Sequence, residues 1–189
     1  ELYTPPGGAP PVAVGPAFIL VGDGDGKGWT LSSDRCECCE YMPEARACCS
    51  GMCRREVARI RHRREAIGKG TVMSVEVDLP ALREDGTPEV WCPRSSQGRN
   101  KVRLESRKPT WSSRIKNLTL DFYGRCTRAS PKNFQLQVEG TQQNFKGKKL
   151  PEPEMLFGKI DDDAFVLDYK HPLGMAQAFA IALTTKDWK

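Results

Sequence analysis

The feature that most constrains this chain is an apolar run close to its C-terminal end, at residues 173–183. Every residue of the run except Gln177 is apolar or glycine, and four are alanine. Such a segment, without the alternation of a strand, predicts a helix. A helix that is apolar all round must be buried on every side, and its length of about 16 Å is too short to cross a bilayer. We therefore expect a helix surrounded by other elements, with Phe179, Ile181 and Leu183 as core residues.

A two-residue alternation of apolar and polar side chains dominates the chain from residue 71 onward. Met73, Val75, Val77 and Leu79 form one apolar stripe, and similar stripes recur at residues 102–105, 118–122, 134–138 and 165–169. Strands with one apolar and one polar face belong to antiparallel sheets that face water on one side. Many such strands separated by turns predict a barrel or a sandwich. The buried helix favours a mainly β chain whose antiparallel barrel, complete or incomplete, encloses it.

The segment 56–68 fits two patterns. Its apolar residues follow the spacing of a helical stripe, whereas Arg59, Arg61 and Arg63 occupy alternate positions, as on one basic face of a strand. Local propensity favours the helix, so the residues alone leave both structures open.

The charge of the chain is concentrated in its middle. Residues 54–149 hold 22 Lys and Arg against 10 Asp and Glu, and the segments on either side are net acidic. A basic middle suits an anionic partner, such as phosphoinositide headgroups, an acidic membrane surface or nucleic acid. A plain solvated basic face is the alternative. The two histidines and the lack of a motif of nucleophilic catalysis weigh against an enzyme, and no residue pattern calls for a cofactor.

Six of the eight cysteines lie within residues 36–53. Cys36, Cys39, Cys49 and Cys53 could supply four thiolates to one zinc ion, since tetrahedral Zn²⁺ accepts four cysteines and each pair has a chelating spacing. Disulfides are a second interpretation, although the chain shows no secretory signal. A loop that is simply rich in cysteine is the third, and we adopt it because adjacent cysteine pairs are not the spacing of zinc ribbons.

Several motifs of the C-terminal two thirds stand in the order in which one known family has them. They are Met73-Ser74-Val75, Leu104-Glu105-Ser106, Leu120-Asp121-Phe122-Tyr123-Gly124-Arg125, Asn133-Phe134-Gln135-Leu136, Phe157-Gly158-Lys159-Ile160, Asp163-Ala164-Phe165-Val166-Leu167-Asp168-Tyr169 and Gln177-Ala178-Phe179-Ala180-Ile181-Ala182-Leu183. With them, residues 56–189 resemble the C-terminal part of the domain of tubby-like proteins. The resemblance implies a strand over 56–68 and leaves residues 1–55 as a poorly matching lead-in with a Cys-rich insert.

The resemblance also implies a function. Tubby-like proteins are non-enzymatic modules that hold phosphoinositides at the inner plasma membrane, and some act as adaptors for ciliary cargo or in transcription. A cytoplasmic monomer, peripheral at the plasma membrane, is therefore expected, with the cilium and the nucleus as further locations. The family's basic residues that clamp phosphatidylinositol 4,5-bisphosphate have no counterpart here, so the resemblance assigns no lipid-binding residue.

The residue pattern alone offers one set of lipid ligands. A bisphosphorylated inositol needs several preorganised cations, and Arg59, Arg61 and Arg63 on one strand face would form such a rim. A solvated edge strand that uses charge against aggregation is the alternative. A zinc-supported nucleic-acid-binding or transcription-related protein is the second functional hypothesis. Nucleic acid is the less favoured partner, because the basic run beside the cysteines lacks interleaved aromatic residues.

Overall fold

The structure is a computed structural model that describes residues 17–33, 54–68, 70–91, 100–144 and 149–188. Ten strands and two helices are built from them. The strands are β1 Phe18–Gly22, β2 Gly28–Ser33, β3 Glu56–Ile67, β4 Gly70–Pro80, β5 Lys101–Ser106, β6 Thr110–Ser112, β7 Asn117–Thr119, β8 Phe134–Val138, β9 Met155–Lys159 and β10 Phe165–Tyr169; the helices are α1 Thr141–Asn144 and α2 Met175–Thr184.

Eight of the strands form one curled antiparallel sheet. Their order is β1-β2-β3-β4-β5-β8-β9-β10, while β6 and β7 form a separate two-stranded ribbon. The sheet is a half-barrel because its first and last strands, β1 and β10, are not hydrogen-bonded neighbours. This architecture confirms the predicted antiparallel barrel in its incomplete form.

The long hairpin of β3 and β4 supplies the centre of the core. Residues 56–67 are a strand, as the resemblance implied and against local helix propensity. Ile60, Val75 and Val77 have no exposed surface, and Leu79 has 1%. Their arginine neighbours on β3 point to the opposite face, because successive side chains of a strand alternate. The alternation that was read from the sequence therefore separates an apolar inner face from a charged outer face.

Helix α2 packs on the inner face of the half-barrel, where it contacts β2, β3 and β10. Ala178, Ala180 and Ala182 are buried with Ile181, and such small side chains let a helix lie close to a sheet. The one amide of the apolar run is also used, because Gln177 Nε2 donates to the carbonyl oxygen of Val57 at 2.8 Å. Within the described residues, no helix has the length and apolar character needed to span a bilayer.

The expectation that α2 is enclosed on every side is wrong for three of its residues, two of which were predicted core residues. Phe179 is 58% exposed and Leu183 is 47% exposed, and Met175 in line with them is 72% exposed. These residues are four apart, so they form one stripe on a helix. The physical reason is the open sheet: a half-barrel covers one side of the helix and leaves the opposite side without a strand in the described part of the chain. Ile181, by contrast, is completely buried.

A histidine ties the end of α2 to β3. Trp188 Nε1 donates to His62 Nδ1 at 2.9 Å, so the proton of the neutral ring lies on Nε2, which donates to Thr184 Oγ1 at 2.9 Å. The ring also lies between Trp29 and Trp188, at centroid distances of 4.2 and 4.8 Å. Burial lowers the pKa of His62 to about 4. His62 is therefore a neutral core residue at physiological pH and has no role as a surface ligand.

Candidate functional site: a basic cleft at the sheet edge

The arginine rim predicted from the sequence lies on the outer face of β3. Arg59 is paired with Glu56 at 2.7 Å, and Arg63 is paired with Glu76 at 3.0 Å. Arg61 is exposed and has no ion pair among the described residues, although it stands directly across from Glu76 on β4. The structure therefore places the three cations on one face, as predicted, with two of their charges already balanced by carboxylates.

The neighbouring strand continues this pattern of compensated charge. Asp78 accepts hydrogen bonds from Arg103 at 2.7 and 3.1 Å and from Lys101 at 3.0 Å. Burial alone would raise the pKa of Asp78, but the two cations outweigh it and hold that pKa below its ordinary value. Asp78 is thus a permanent anion at neutral pH, and the outer face around it alternates between basic and acidic strands.

A second set of cations meets where β5 stops short. The ladder between β4 and β5 runs from Glu76 to Pro80, whereas the ladder between β3 and β4 continues to Gly70. The start of β4 therefore borders an opening instead of a strand in the described part of the fold. A cavity of about 660 Å³ fills this opening, which we call the basic cleft. Its volume lies within the range of small-ligand sites.

Four cations from three separate segments line the basic cleft, together with a single carboxylate among the described lining residues. The cations are Arg64, Arg107, Lys108 and Arg128, and the carboxylate is Glu65. Hydroxyl groups stand between them, and an apolar wall closes one side. The hydroxyl groups belong to Thr71, Ser74, Ser106, Thr119, Thr127 and Ser130, and the wall to Ile67, Met73, Leu118, Leu120, Phe122 and Phe134. This combination suits an anionic ligand with a polar ring or an attached apolar part.

The cations of the cleft differ in whether they already form an ion pair and in how exposed they are. Arg64 is exposed and has no ion pair among the described residues. Arg128 bonds to Asp161 at 3.2 Å, but both side chains are more than half exposed. Such a surface pair is weak and screened by water, so an incoming phosphate can replace it. Lys108 is bound to Glu65 at 3.1 Å and is 60% exposed.

Glu65 stays ionised beside Lys108. Burial by itself raises the pKa of Glu65, but hydrogen bonds from Ser74 at 2.8 Å and from Lys108 outweigh it, so the pKa lies below its ordinary value. One lining carboxylate against four lining cations leaves the cleft with a net positive charge at neutral pH. A concave basic site of this kind raises the local concentration of anions.

Arg107 is the buried member of the set, with 3% exposure. Its guanidinium donates to Gln137 Oε1 at 3.1 Å, to Tyr123 Oη at 3.2 Å and to Gln135 Oε1 at 3.3 Å, and it also contacts the carbonyl oxygen of Pro151. All four partners are neutral. Because neutral oxygens satisfy its hydrogen bonds without cancelling its charge, Arg107 fixes a positive potential behind the cleft.

The thiol at the edge of the cleft is not activated. Cys126 is partly buried, and burial raises the pKa of its thiol although two backbone groups act in the other direction. A thiol with a raised pKa is protonated at neutral pH and is a poor nucleophile. Its side chain instead packs against Gly158, where an added Cβ would stand 2.7 Å from the sulfur. The residue therefore helps to close the loop onto β9.

Sequence reasoning missed the basic cleft. The alternate arginines of β3 indicate the face opposite to Arg64, and the adjacent pair Arg107 and Lys108 is distant in the sequence from both Arg64 and Arg128. The available signal was the charge of residues 101–149, which hold 12 Lys and Arg against 3 Asp and Glu. The candidate zinc ligands Cys36, Cys39, Cys49 and Cys53 lie outside the described residues, so that prediction is untested.

Comparison with known proteins identifies the family. The sequence model of the Tub family matches residues 44–188. The protein called king tubby of Drosophila sechellia is 34% identical over 118 residues, which are 61% of this chain and 24% of that protein. King tubby of Drosophila melanogaster is 34% identical over 118 residues, which are 61% of this chain and 23% of that protein.

These matches cover part of the relatives only: the chain spans about a quarter of the length of the curated proteins it matches. They cover most of the chain itself, including the β3–β4 hairpin, the basic cleft and α2. The resemblance drawn from the motifs is thereby confirmed, and the chain belongs to the Tub family.

Proposed function

We propose that this chain is a non-enzymatic module that binds the phosphoinositide-bearing surface of a membrane. The observation that carries the proposal is the basic cleft, in which Arg64, Lys108 and Arg128 surround a 660 Å³ cavity beside the buried charge of Arg107. Phosphate groups on an inositol ring bind best where several cations are held in place by a rigid scaffold. Membership of the Tub family supports the same partner.

In this proposal the module works at the cytoplasmic side of the plasma membrane and serves as an adaptor that brings membrane cargo towards a destination such as the cilium. In this role the module carries out no chemical step. The basic cleft contacts the headgroup, and Arg59, Arg61 and Arg63 remain an alternative contact surface on the outer face.

Two matched double variants decide between the surfaces. Arg64→Gln/Arg128→Gln removes two charges from the cleft, and Arg61→Gln/Arg63→Gln removes two from the rim. Each double variant removes one arginine that is in a surface ion pair, Arg128 or Arg63, and one arginine that has no ion pair among the described residues. The two variants therefore change the charge equally and differ in where they change it. At about 1 kcal/mol per basic residue near an anionic surface, we expect the cleft variant to bind about thirtyfold more weakly to vesicles that contain phosphatidylinositol 4,5-bisphosphate.

The measurement is vesicle co-sedimentation at two salt concentrations, with phosphatidylserine vesicles matched for total charge. Specific binding persists at high salt, whereas diffuse attraction decays because the Debye length falls from about 10 Å at 0.1 M to about 3 Å at 1 M. If only the rim variant binds more weakly, the headgroup site lies on the outer face of β3 instead of in the cleft. Equal binding to both lipids by the parent chain would overturn the proposal.

A further inference from the structure

The β6–β7 hairpin is a ribbon that is not hydrogen-bonded to the strands of the half-barrel, and it carries two exposed apolar side chains. Its strands pair Thr110–Ser112 with Asn117–Thr119 through a four-residue turn. Trp111 is 43% exposed, and Ile115 in the turn is 55% exposed. Single exposed apolar residues are common on proteins, but this short ribbon and its turn together expose both an indole and a branched aliphatic side chain.

The base of the hairpin is fixed to the fold. Leu118, which pairs with Trp111 across the ribbon, lies so close to Gly70 that an added Cβ there would be 2.9 Å from Leu118 Cδ1. Leu118 and Thr119 also line the basic cleft. The hairpin is therefore one wall of the cleft, held by Leu118, while its turn remains in solvent.

The charges of the hairpin have one sign. Residues 108–119 contain Lys108, Arg114 and Lys116, and no Asp or Glu. All three cations are exposed, and the backbone of Lys116 has a φ of +52°, so the turn holds a left-handed conformation. Exposed Trp and aliphatic side chains flanked by Lys and Arg are the composition of segments that lie in the interface of an anionic bilayer.

We propose that the β6–β7 hairpin inserts Trp111 and Ile115 into the interfacial layer of an anionic membrane while Lys108, Arg114 and Lys116 contact lipid headgroups. The inference rests on the proposed function for its choice of a membrane as the partner, and it adds a second contact beside the basic cleft. The cleft then selects the headgroup, and the hairpin supplies apolar anchorage and diffuse charge.

A bilayer fits this surface better than a nucleic acid does. Proteins that bind single strands present several aromatic rings on which successive bases stack, whereas the hairpin presents one ring. The turn contains Ile115, which has no flat face on which a base could stack. Its transfer from water into an apolar layer is favourable. A membrane surface and a nucleic acid are both anionic and would both bind the three cations, so the experiment has to distinguish these two partners.

Tryptophan fluorescence gives a direct measure of insertion. The chain has four tryptophans; Trp91 and Trp188 are 2% and 7% exposed, and Trp29 is packed on His62. Trp111 is thus the one most open to a quencher in the membrane. We expect vesicles of phosphatidylcholine with phosphatidylserine and brominated acyl chains to quench the emission of the parent chain, and expect Trp111→Phe to remove most of that quenching while it retains binding.

Two double variants test the contribution to affinity. Trp111→Ser/Ile115→Ser should weaken vesicle binding at least tenfold. Leu82→Ser/Val21→Ser is the control, since Leu82 and Val21 are 46% and 56% exposed in other loops and strands, and should bind like the parent chain. An equal loss in both, unchanged binding in the hairpin variant, or quenching that persists in Trp111→Phe would overturn the inference.

The same assays keep the two proposals apart. Phosphoinositide-specific binding without bromolipid quenching would leave the proposed function standing and overturn insertion. Quenching without any preference for the phosphoinositide would support insertion and overturn the proposed headgroup site. If the parent chain binds single-stranded nucleic acid and ignores vesicles, both fail.

Discussion

An Ile181→Asp variant will fail to fold cooperatively, whereas a Phe179→Asp variant will fold almost as stably as the parent chain. The two residues are two positions apart on α2 and lie on different sides of the helix. Ile181 has no exposed surface, whereas Phe179 is 58% exposed. An unpaired carboxylate buried at position 181 costs several kcal/mol, which is comparable to the whole stability of a typical domain. At position 179 the carboxylate stays in water, and the change should be within about 1 kcal/mol.

Urea unfolding followed by circular dichroism measures both variants. A conservative Ile181→Val substitution, expected to cost about 0.5–1.5 kcal/mol, checks that the site is packed and still allows folding. If Phe179→Asp instead unfolds the chain, then α2 is covered on both sides in solution. That result would contradict the open half-barrel.

The second large effect is expected from acid. Burial holds the pKa of His62 at about 4 in the folded protein, against an ordinary value of 6.5. Between these two values the unfolded state binds more protons than the folded state, so the free energy of unfolding falls as the pH falls from about 6.5 to about 4. A pKa difference of this size corresponds to about 3 kcal/mol of the free energy of unfolding. This stability is fully present above pH 6.5 and is lost as the pH falls towards 4.

The structural cause gives a matched control. A protonated His62 can no longer accept the hydrogen bond from Trp188 Nε1, so the bond that ties the chain after α2 to β3 is lost. His62→Gln keeps an acceptor and a donor but does not titrate, so its stability should be nearly flat between pH 7 and pH 4.5. Asp78 and Asp168 have lowered pKa values and lose their contributions only at pH values below their ordinary 3.8. A parent chain whose urea midpoint is unchanged over this range would contradict the prediction.

Much of the sheet could be predicted because the buried and exposed sides of each strand are visible in its own alternation of apolar and polar residues. Val75, Val77 and Leu79 alternate with polar residues, and the period of two fixes which side of β4 is buried. The apolar run of α2 also predicted a helix. It did not predict which side is covered, because a helix without a polar face has no internal signal to distinguish Ile181 from Phe179.

The basic cleft could not be predicted because it is made by strand ends. It exists since β5 stops at Ser106 while β4 continues to Gly70, and a register of this kind is set by pairing across the sheet. The predicted strand at 118–122 also ends early: Leu120 and Phe122 lie in a loop that lines the cleft. Tyr123 and Gly124, with φ values of 54° and 75°, turn the chain there.

The contact between His62 and Trp188 joins residues 126 positions apart, and the bond from Gln177 to Val57 joins residues 120 apart. A ribosome releases β3 long before α2, and at about 5–20 residues per second the delay is roughly 6 to 24 s. Throughout that interval the apolar face of β3 has no helix to cover it. Nascent chains of this protein should therefore depend on chaperones during this interval, and their yield should rise when the residues between β3 and α2 are synthesised quickly.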